Sequence, residues 1–289
     1  RMRKRSMELW PEWIKDLSNY DPKLRIHKPL IKLARSETEK EFFEKLLERK
    51  KNDDLYSIPQ EDVKEMFPNL SVKNYGALIS PFDGRIDPIR LQNCLRKALI
   101  NDKVKLIAQQ IIDINRNKSD NAYKWSVVQA DGEIIDADII IICAALDTNN
   151  LLNKIGHSLN IEPILGQALT IKVDSMMLNN WPGVLSVNNF NLIKYRKNEL
   201  IIGATLETGF TASRIEFESM KRLNGIAPEW IQKGEITSQW SGIRAKPIGK
   251  PAPILEQLEK GLIVASGHYR NGILLAPSTA EWIQETLKK

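Results

Sequence analysis

The sequence predicts a mixed α/β fold, and three stretches carry that expectation. Gly261 to Ser266 is a short apolar run with β-branched residues between glycines, the pattern of a buried strand. After a turn, Ile273, Leu274, Ala276, Ala280, Ile283 and Leu287 recur at helical spacing, with Glu281, Gln284 and Glu285 between them. Asp138 to Cys143 is a near-continuous isoleucine run, which suits a central parallel strand buried on both faces. With 289 residues the chain is long enough for about two domains and a large core.

In chain order, Leu9, Trp10, Trp13 and Leu17 place a helix over Ser6 to Leu17, with Pro11 tolerated only if the first turn starts close before it. Ser36-Glu37-Thr38-Glu39 is a capping-box pattern that opens a helix whose apolar face is Phe42, Phe43, Leu46 and Leu47. A shorter helix over Gln60 to Phe67 stops before Pro68. Tyr75 to Ser80 reads as a strand, Asp83-Gly84 as a turn, and Asp87-Pro88 as the start of a helix carrying Leu91, Leu95, Ala98 and Leu99. Val104 to Ile107 and Ile111 to Asn115 read as strands, and Tyr123 to Gln129 forms a hairpin with Ile134 onward through Asp131-Gly132. Further strands are expected over Ile161 to Val173, Val184 to Val187, Leu192 to Tyr195 and Leu200 to Gly203. A helix over Arg214 to Leu223 would turn Ile215, Met220 and Leu223 inward.

Composition narrows the function classes. The longest apolar run, Ile139 to Leu146, is far too short to cross a bilayer, so no membrane partner is expected. The net charge of +6 is concentrated in part at Arg1-Met2-Arg3-Lys4-Arg5, which reads as a solvated cluster rather than a nucleic-acid patch. Cys94 and Cys143 lack ligand-like spacing to His27, His157 and His268, which argues against a disulfide framework and a zinc site. The expected compartment is a reducing cytoplasm. None of the histidines stands beside a serine or cysteine nucleophile. By contrast, Gly267-His268-Tyr269-Arg270-Asn271-Gly272 puts a cation and two glycines just before a helix N-terminus, where free N–H groups favour an electron-rich ligand.

The run GHYRNGILLAP, Gly267 to Pro277, resembles the C-terminal signature of the flavin-dependent D-amino acid oxidase family, and most closely its glycine oxidase branch, which serves thiamine biosynthesis. Other stretches are similar in the same order: SMELWPEW from Ser6, DGRIDPIRLQNCLRKAL from Asp83, EPILGQALTIKV from Glu162, and Gly203 to Phe210 as the family's G-A-T-x-E-x-G-F run. Gln239 to Pro247 resembles its W-x-G-x-R-P segment. Two departures stand out. Alanine replaces the family's glycine in Cys143-Ala144-Ala145-Leu146-Asp147, and Asn189 to Arg196 lacks the family's Tyr-x-x-Pro-Arg, whose tyrosine lines the active site.

The resemblance implies an interleaved architecture. A Rossmann-like FAD-binding domain would comprise 1–20, 88–158 and 242–289, and a substrate domain with a large mixed or antiparallel sheet would comprise 21–87 and 159–241. No G-x-G-x-x-G follows a strand, so the chain resembles a portion of a longer protein lacking the N-terminal βαβ unit, expected to bind FAD weakly or not at all by itself. The implied substrate anchors are Arg244 and Arg270, since guanidinium grips carboxylate bidentately. The implied cofactor contacts are Ile111, His268, Tyr269, Arg270, Asn271, Gly272, Ile273 and Leu274, with no catalytic side chain and no metal. The implied reaction is oxidative deamination of glycine or a small D-amino acid, with dioxygen reduced to peroxide and the imine feeding thiazole formation. A flavin dehydrogenase with another acceptor and an inactive remnant are the alternatives, and a homo-oligomer is among the expected states.

Overall fold

The computed structural model describes residues 2–49, 55–117 and 124–288. In chain order they form α1 (Met2–Leu17), β1 (Leu30–Leu33), α2 (Glu37–Arg49), β2 (Tyr56–Ile58), α3 (Gln60–Met66), β3 (Ala77–Ser80), α4 (Pro88–Asn101), β4 (Ile111–Arg116), β5 (Trp125–Gln129), β6 (Ile134–Ala137), β7 (Ile140–Ile142) and α5 (Thr148–Asn153). There follow β8 (Ile161–Lys172), β9 (Val184–Val187), β10 (Phe190–Arg196), β11 (Glu199–Gly203), β12 (Glu207–Thr208), α6 (Arg214–Lys221), α7 (Glu229–Gln232), β13 (Glu235–Pro247), β14 (Ile254–Glu259), β15 (Leu262–Ser266) and α8 (Gly272–Leu287). The chain divides into two compact units, one of Arg1–Leu24, Pro88–Ile164 and Ile243–Lys289, the other of Arg25–Asp87 and Leu165–Gly242. Among the described residues no helix is long and apolar enough to cross a membrane.

The second unit is built on a nine-stranded sheet in the order β12-β8-β11-β10-β9-β1-β3-β2, with β13 also paired to β8. Alternation along each strand assembles its core. Register sets Ile79, Ile31, Leu185, Leu192, Ile202 and Leu169 side by side across six strands, all on one face and all buried. Val63 of α3, Phe217 and Met220 of α6 and Ile231 of α7 cover that face. A buried network pins the turn after β11. Gln167 Nε2 donates to Glu207 Oε1 and to the Ser213 carbonyl, each at 2.8 Å, and Ser213 N donates to Glu207 Oε2 at 2.5 Å. Burial alone would raise the Glu207 carboxyl, but these bonds and one from the Thr205 hydroxyl outweigh it and hold the carboxyl below its ordinary value.

Two helices of this unit differ from the sequence expectation. Ile215 is 78% exposed, not inward, because Phe217, Met220 and Leu223 form the buried stripe and a residue two positions before Phe217 lies on the far side. On α2 only Phe43 is buried, and Phe42 is 60% exposed. The capping box is half formed: Ser36 Oγ accepts from Glu39 N at 3.2 Å, but Glu39 accepts from Arg35 N at 3.0 Å rather than from Ser36. Glu39 also pairs with Lys32 and Arg35, at 2.7 and 2.8 Å.

The first unit holds two three-stranded sheets, β14-β15-β7 and β4-β5-β6. Trp125, Ile142, Leu152, Leu262 and Val264 form its core. Glu259 joins Arg116 to His157, with His157 Nε2 at 2.7 Å, and Arg116 also donates to the Ile155 carbonyl at 2.6 Å. Helices α1 and α8 pack through small hydroxyls: Ser6 Oγ donates to Ser278 Oγ at 2.7 Å, and Trp10 Nε1 to the Leu274 carbonyl at 3.1 Å. The buried face of α8 is therefore Leu275, Ser278 and Thr279, whereas Ile273, Ala280 and Leu287 are exposed. In the basic opening Arg1 lies outside the described residues, and Arg5 pairs with Glu8 and Glu281 on the surface.

Four further expectations are corrected. Pro11 sits in the interior of α1, which begins at Met2, and the proline is exposed. Val104 to Ile107 form no strand and expose their large side chains. Strand β7 is shorter than the isoleucine run and, among the described residues, pairs only with β15. Ile139 and Ile141 are 44% and 39% exposed, so it is not buried on both faces. The first hairpin strand begins at Trp125, with Tyr123 outside the described residues.

Two outcomes follow from this packing. Ile202→Ala is expected to cost about 2–5 kcal/mol of stability, read from denaturant midpoints, because it empties the middle of the buried row. The Glu39 carboxyl, held by Lys32 and Arg35 against the cost of burial, falls from 4.5 to about 2. A depressed carboxyl stabilises above its unfolded value and loses that contribution as pH falls through its folded one. Glu39→Gln should therefore lose on the order of 1–3 kcal/mol at pH 7, and its deficit relative to the parent should shrink as pH falls from 4.5 toward 2. A deficit that stays constant over that range would contradict the ion-pair assignment.

Candidate active site

In the first unit β15 and β7 run parallel, from Leu262 opposite Ile140 to Val264 opposite Ile142. Parallel neighbours deliver their carboxyl ends to one edge, where open α/β sheets bind ligands. Each strand ends here in left-handed backbone: Ala145 at φ 50° after β7, and Gly267 and Tyr269 at φ 64° and 53° after β15. The buried Ser266 hydroxyl ties the two turns, lying 2.9 Å from Thr148 Oγ1 and donating to the Ala145 carbonyl at 3.2 Å. A Cβ on Gly267 would lie 2.8 Å from Cγ of Pro247, so glycine lets this turn pack against the end of β13. The left-handed Ala145 explains why glycine is expected there, since an L side chain in this conformation costs roughly 1–2 kcal/mol.

The turn after β15 leads directly into α8. Asn271 precedes the helix without a side-chain cap, and its first turn carries no acidic residue. The positive end of the helix dipole thus meets no acidic side chain, and Arg270 precedes it. His268 is half-buried and its Nε2 lies 2.9 Å from Thr279 Oγ1, which anchors the turn to the helix. Burial holds the imidazole below its ordinary value, so it is neutral near pH 7.

Arg244 lies on β13, half-buried, three residues before Pro247. Its proton is held less firmly than usual, first because of burial and then because of the positive charge of Arg270. The two guanidinium groups therefore share one neighbourhood, although 26 positions separate them in the sequence. With Arg244 half-buried and Arg270 exposed beside it, the two like charges favour an anion that reaches both, and a carboxylate has the geometry for it.

The structure thus gathers Arg244, His268, Tyr269, Arg270, Asn271, Gly272, Ile273 and Leu274 at one end of the β14-β15-β7 sheet. Ile111 is placed differently: it opens β4, in the other three-stranded sheet, opposite Gln129 of β5. Sequence reading missed Thr148 and Ser266. The one signal for them was a small hydroxyl residue at or just after each apolar strand. Two cavities of about 420 and 210 Å3 lie in the second unit, one against α6 and one against α2, and none of these residues lines them. Among the described residues no three His, Cys, Asp or Glu side chains gather to hold a metal.

With this geometry in hand, the relatives are informative. The glycine oxidase of Geobacillus kaustophilus (strain HTA426) is 26% identical over 273 residues, covering 91% of this chain and 70% of that protein. The crystal structure of glycine oxidase from Geobacillus kaustophilus matches with a TM-score of 0.84 at 25% identity, over 97% of this chain and 76% of that one. A bifunctional protein ThiO/ThiG of Trichormus variabilis (strain ATCC 29413 / PCC 7937) is 34% identical over 165 residues, 55% of this chain and 24% of that protein. The family model described as FAD dependent oxidoreductase matches residues 1–286, and the chain belongs to that family.

Proposed function

We propose that the protein oxidises a small amino acid, glycine or a small D-amino acid, at its Cα–N bond. The balance is one Cα hydrogen and one amine hydrogen removed to give the imine, with dioxygen reduced to hydrogen peroxide. The observation that carries this reading is the Arg244–Arg270 pair at the carboxyl edge of two parallel strands, beside an uncapped helix start. The similarity to glycine oxidases supports the substrate class, and the similarity to a ThiO/ThiG protein supports delivery of the imine to thiazole formation for thiamine.

The residues present fit the family's cofactor, FAD. Arg270, just before a helix start with no side-chain cap and no acidic residue in its first turn, favours an electron-rich ring. His268 to Leu274 would hold it, with Ile111 contributing backbone. FAD supplies the two-electron acceptor. The side chains bind and orient: Arg244 and Arg270 take the carboxylate, which fixes the direction of the Cα–H bond. His268, neutral and tied to Thr279, positions the turn. On this reading the first unit binds FAD and the second is the substrate domain.

In the FAD-loaded enzyme Arg244→Leu should lower kcat/KM for the amino acid roughly 10- to 150-fold, the equivalent of one charge-assisted contact, with flavin content unchanged. An unchanged kcat/KM would remove the carboxylate assignment, and imine formation without peroxide would point to another electron acceptor.

A further inference from the structure

Just before β1 the chain pairs with the segment that follows β3. His27 and Arg85 are directly opposite there and exchange both backbone bonds, His27 N donating to the Arg85 carbonyl at 2.7 Å and Arg85 N to the His27 carbonyl at 3.0 Å. Residues paired in this way carry their side chains on the same face. Arg25 stands two positions before His27, the spacing that returns a side chain to one face of an extended chain. All three residues belong to the second unit. The pairing is tightly packed. A Cβ on Gly84 would lie 2.1 Å from the His27 carbonyl oxygen and one on Gly183 2.0 Å from it, so only glycine at both positions lets the backbone close around that carbonyl.

Basic groups directly opposite one another weaken a strand pairing, and little here offsets them. The Arg85 guanidinium donates through Nη2 to the Lys194 carbonyl at 2.7 Å, a neutral acceptor, and its Nε is buried without a partner. Among the described residues no carboxylate forms an ion pair with Arg25 or Arg85. Burial loosens the Arg85 proton, against the opposing charge of Asp87. Burial and then the charges of Arg85 and Arg25 hold the His27 imidazole below its ordinary value, so it is neutral near pH 7 and keeps one N–H to donate. Arg25 is exposed and His27 and Arg85 are half-buried, so a small solute reaches the group from solvent.

We propose that Arg25, His27 and Arg85 form an oxyanion site ahead of β1, one that takes a phosphate group. Two guanidinium charges set against the one carboxylate of Asp87 leave an excess of positive charge, which calls for an anion rather than a neutral ligand. The donors come from two paired segments. A planar carboxylate is satisfied by a single guanidinium, whereas a phosphate offers oxygens in several directions and engages both arginines and the imidazole together. The site lies wholly within the second unit and does not depend on the amino acid oxidation proposed above.

The chain has three histidines, so the ring signals of His27 can be followed by heteronuclear NMR and assigned with His27→Gln. At pH 7 and constant ionic strength, inorganic phosphate should shift the His27 signals saturably, with a Kd on the order of 1 mM, and leave those of His157 and His268 in place. Arg85→Met should raise that Kd about 10- to 100-fold, the loss of one charge-assisted contact. Arg25→Gln, on the surface, should raise it about tenfold and keeps the test decisive if thermal unfolding shows that Arg85→Met does not fold. Methyl phosphate binding as tightly as inorganic phosphate would support the site and assign it to a phosphate monoester; binding of inorganic phosphate alone would support it as a site for the free ion. No saturable shift of His27, the same shift with chloride, acetate binding as tightly as phosphate, or a Kd unmoved in the folded variants would overturn the proposal. None of these readouts needs flavin or turnover.

Discussion

The parallel pairing of β7 with β15 is the constraint from which the candidate site follows. Parallel strands must end on the same edge, so the turn at Ala145 and the turn at Gly267 to Asn271 are delivered together, and the Ser266 hydroxyl locks one to the other. The second turn then leads into α8 with no side-chain cap and no acidic residue in its first turn, while the collision-free fit of Gly267 against Pro247 keeps the end of β13 close by. Arg244 sits just before that contact and Arg270 just after it. Burial and the charge of Arg270 both loosen the Arg244 proton, and a shared anion would offset that repulsion on the proposed reading.

The second unit contributes a rigid platform. Its core row is continuous across six strands, and the Gln167–Glu207–Ser213 network fixes the loop that follows β11 through neutral donors among the described residues. A buried carboxylate held by neutral donors stays charged only while those donors keep their geometry, so the loop has little freedom. Gln167 and Glu207 lie in two motifs far apart in the sequence, and one set of hydrogen bonds unites them.

Much of the architecture was legible because it is periodic. The apolar run at Leu262 to Ser266, the long strand at Ile161 to Lys172 and the helix opened by Pro88 all announce themselves through alternation, helical spacing or a proline at the first helical position. What was not legible depended on partners. Choosing Ile215 over Phe217 for the inner face of α6 requires knowing where the sheet lies, since both are apolar. Val104 to Ile107 carry strand-like residues without a neighbouring strand among the described residues, and a strand needs a ladder. At the site, the two arginines and the turn could be named from residue type and motif. The left-handed Ala145 and the Ser266–Thr148 link could not, because each is a property of backbone geometry or of how two strands end together.

The most direct test of the central claim, that Arg244 and Arg270 act on one anion, is a double-mutant cycle on the affinity of a small carboxylate such as glycolate for the FAD-loaded enzyme. Arg244→Leu, Arg270→Leu and the double variant should show a coupling of about 1 kcal/mol or more, because removing either arginine spoils the other's contact. Strictly additive losses, or affinity indifferent to both substitutions, would mean that the two guanidinium groups serve separate purposes and that the site has been misread.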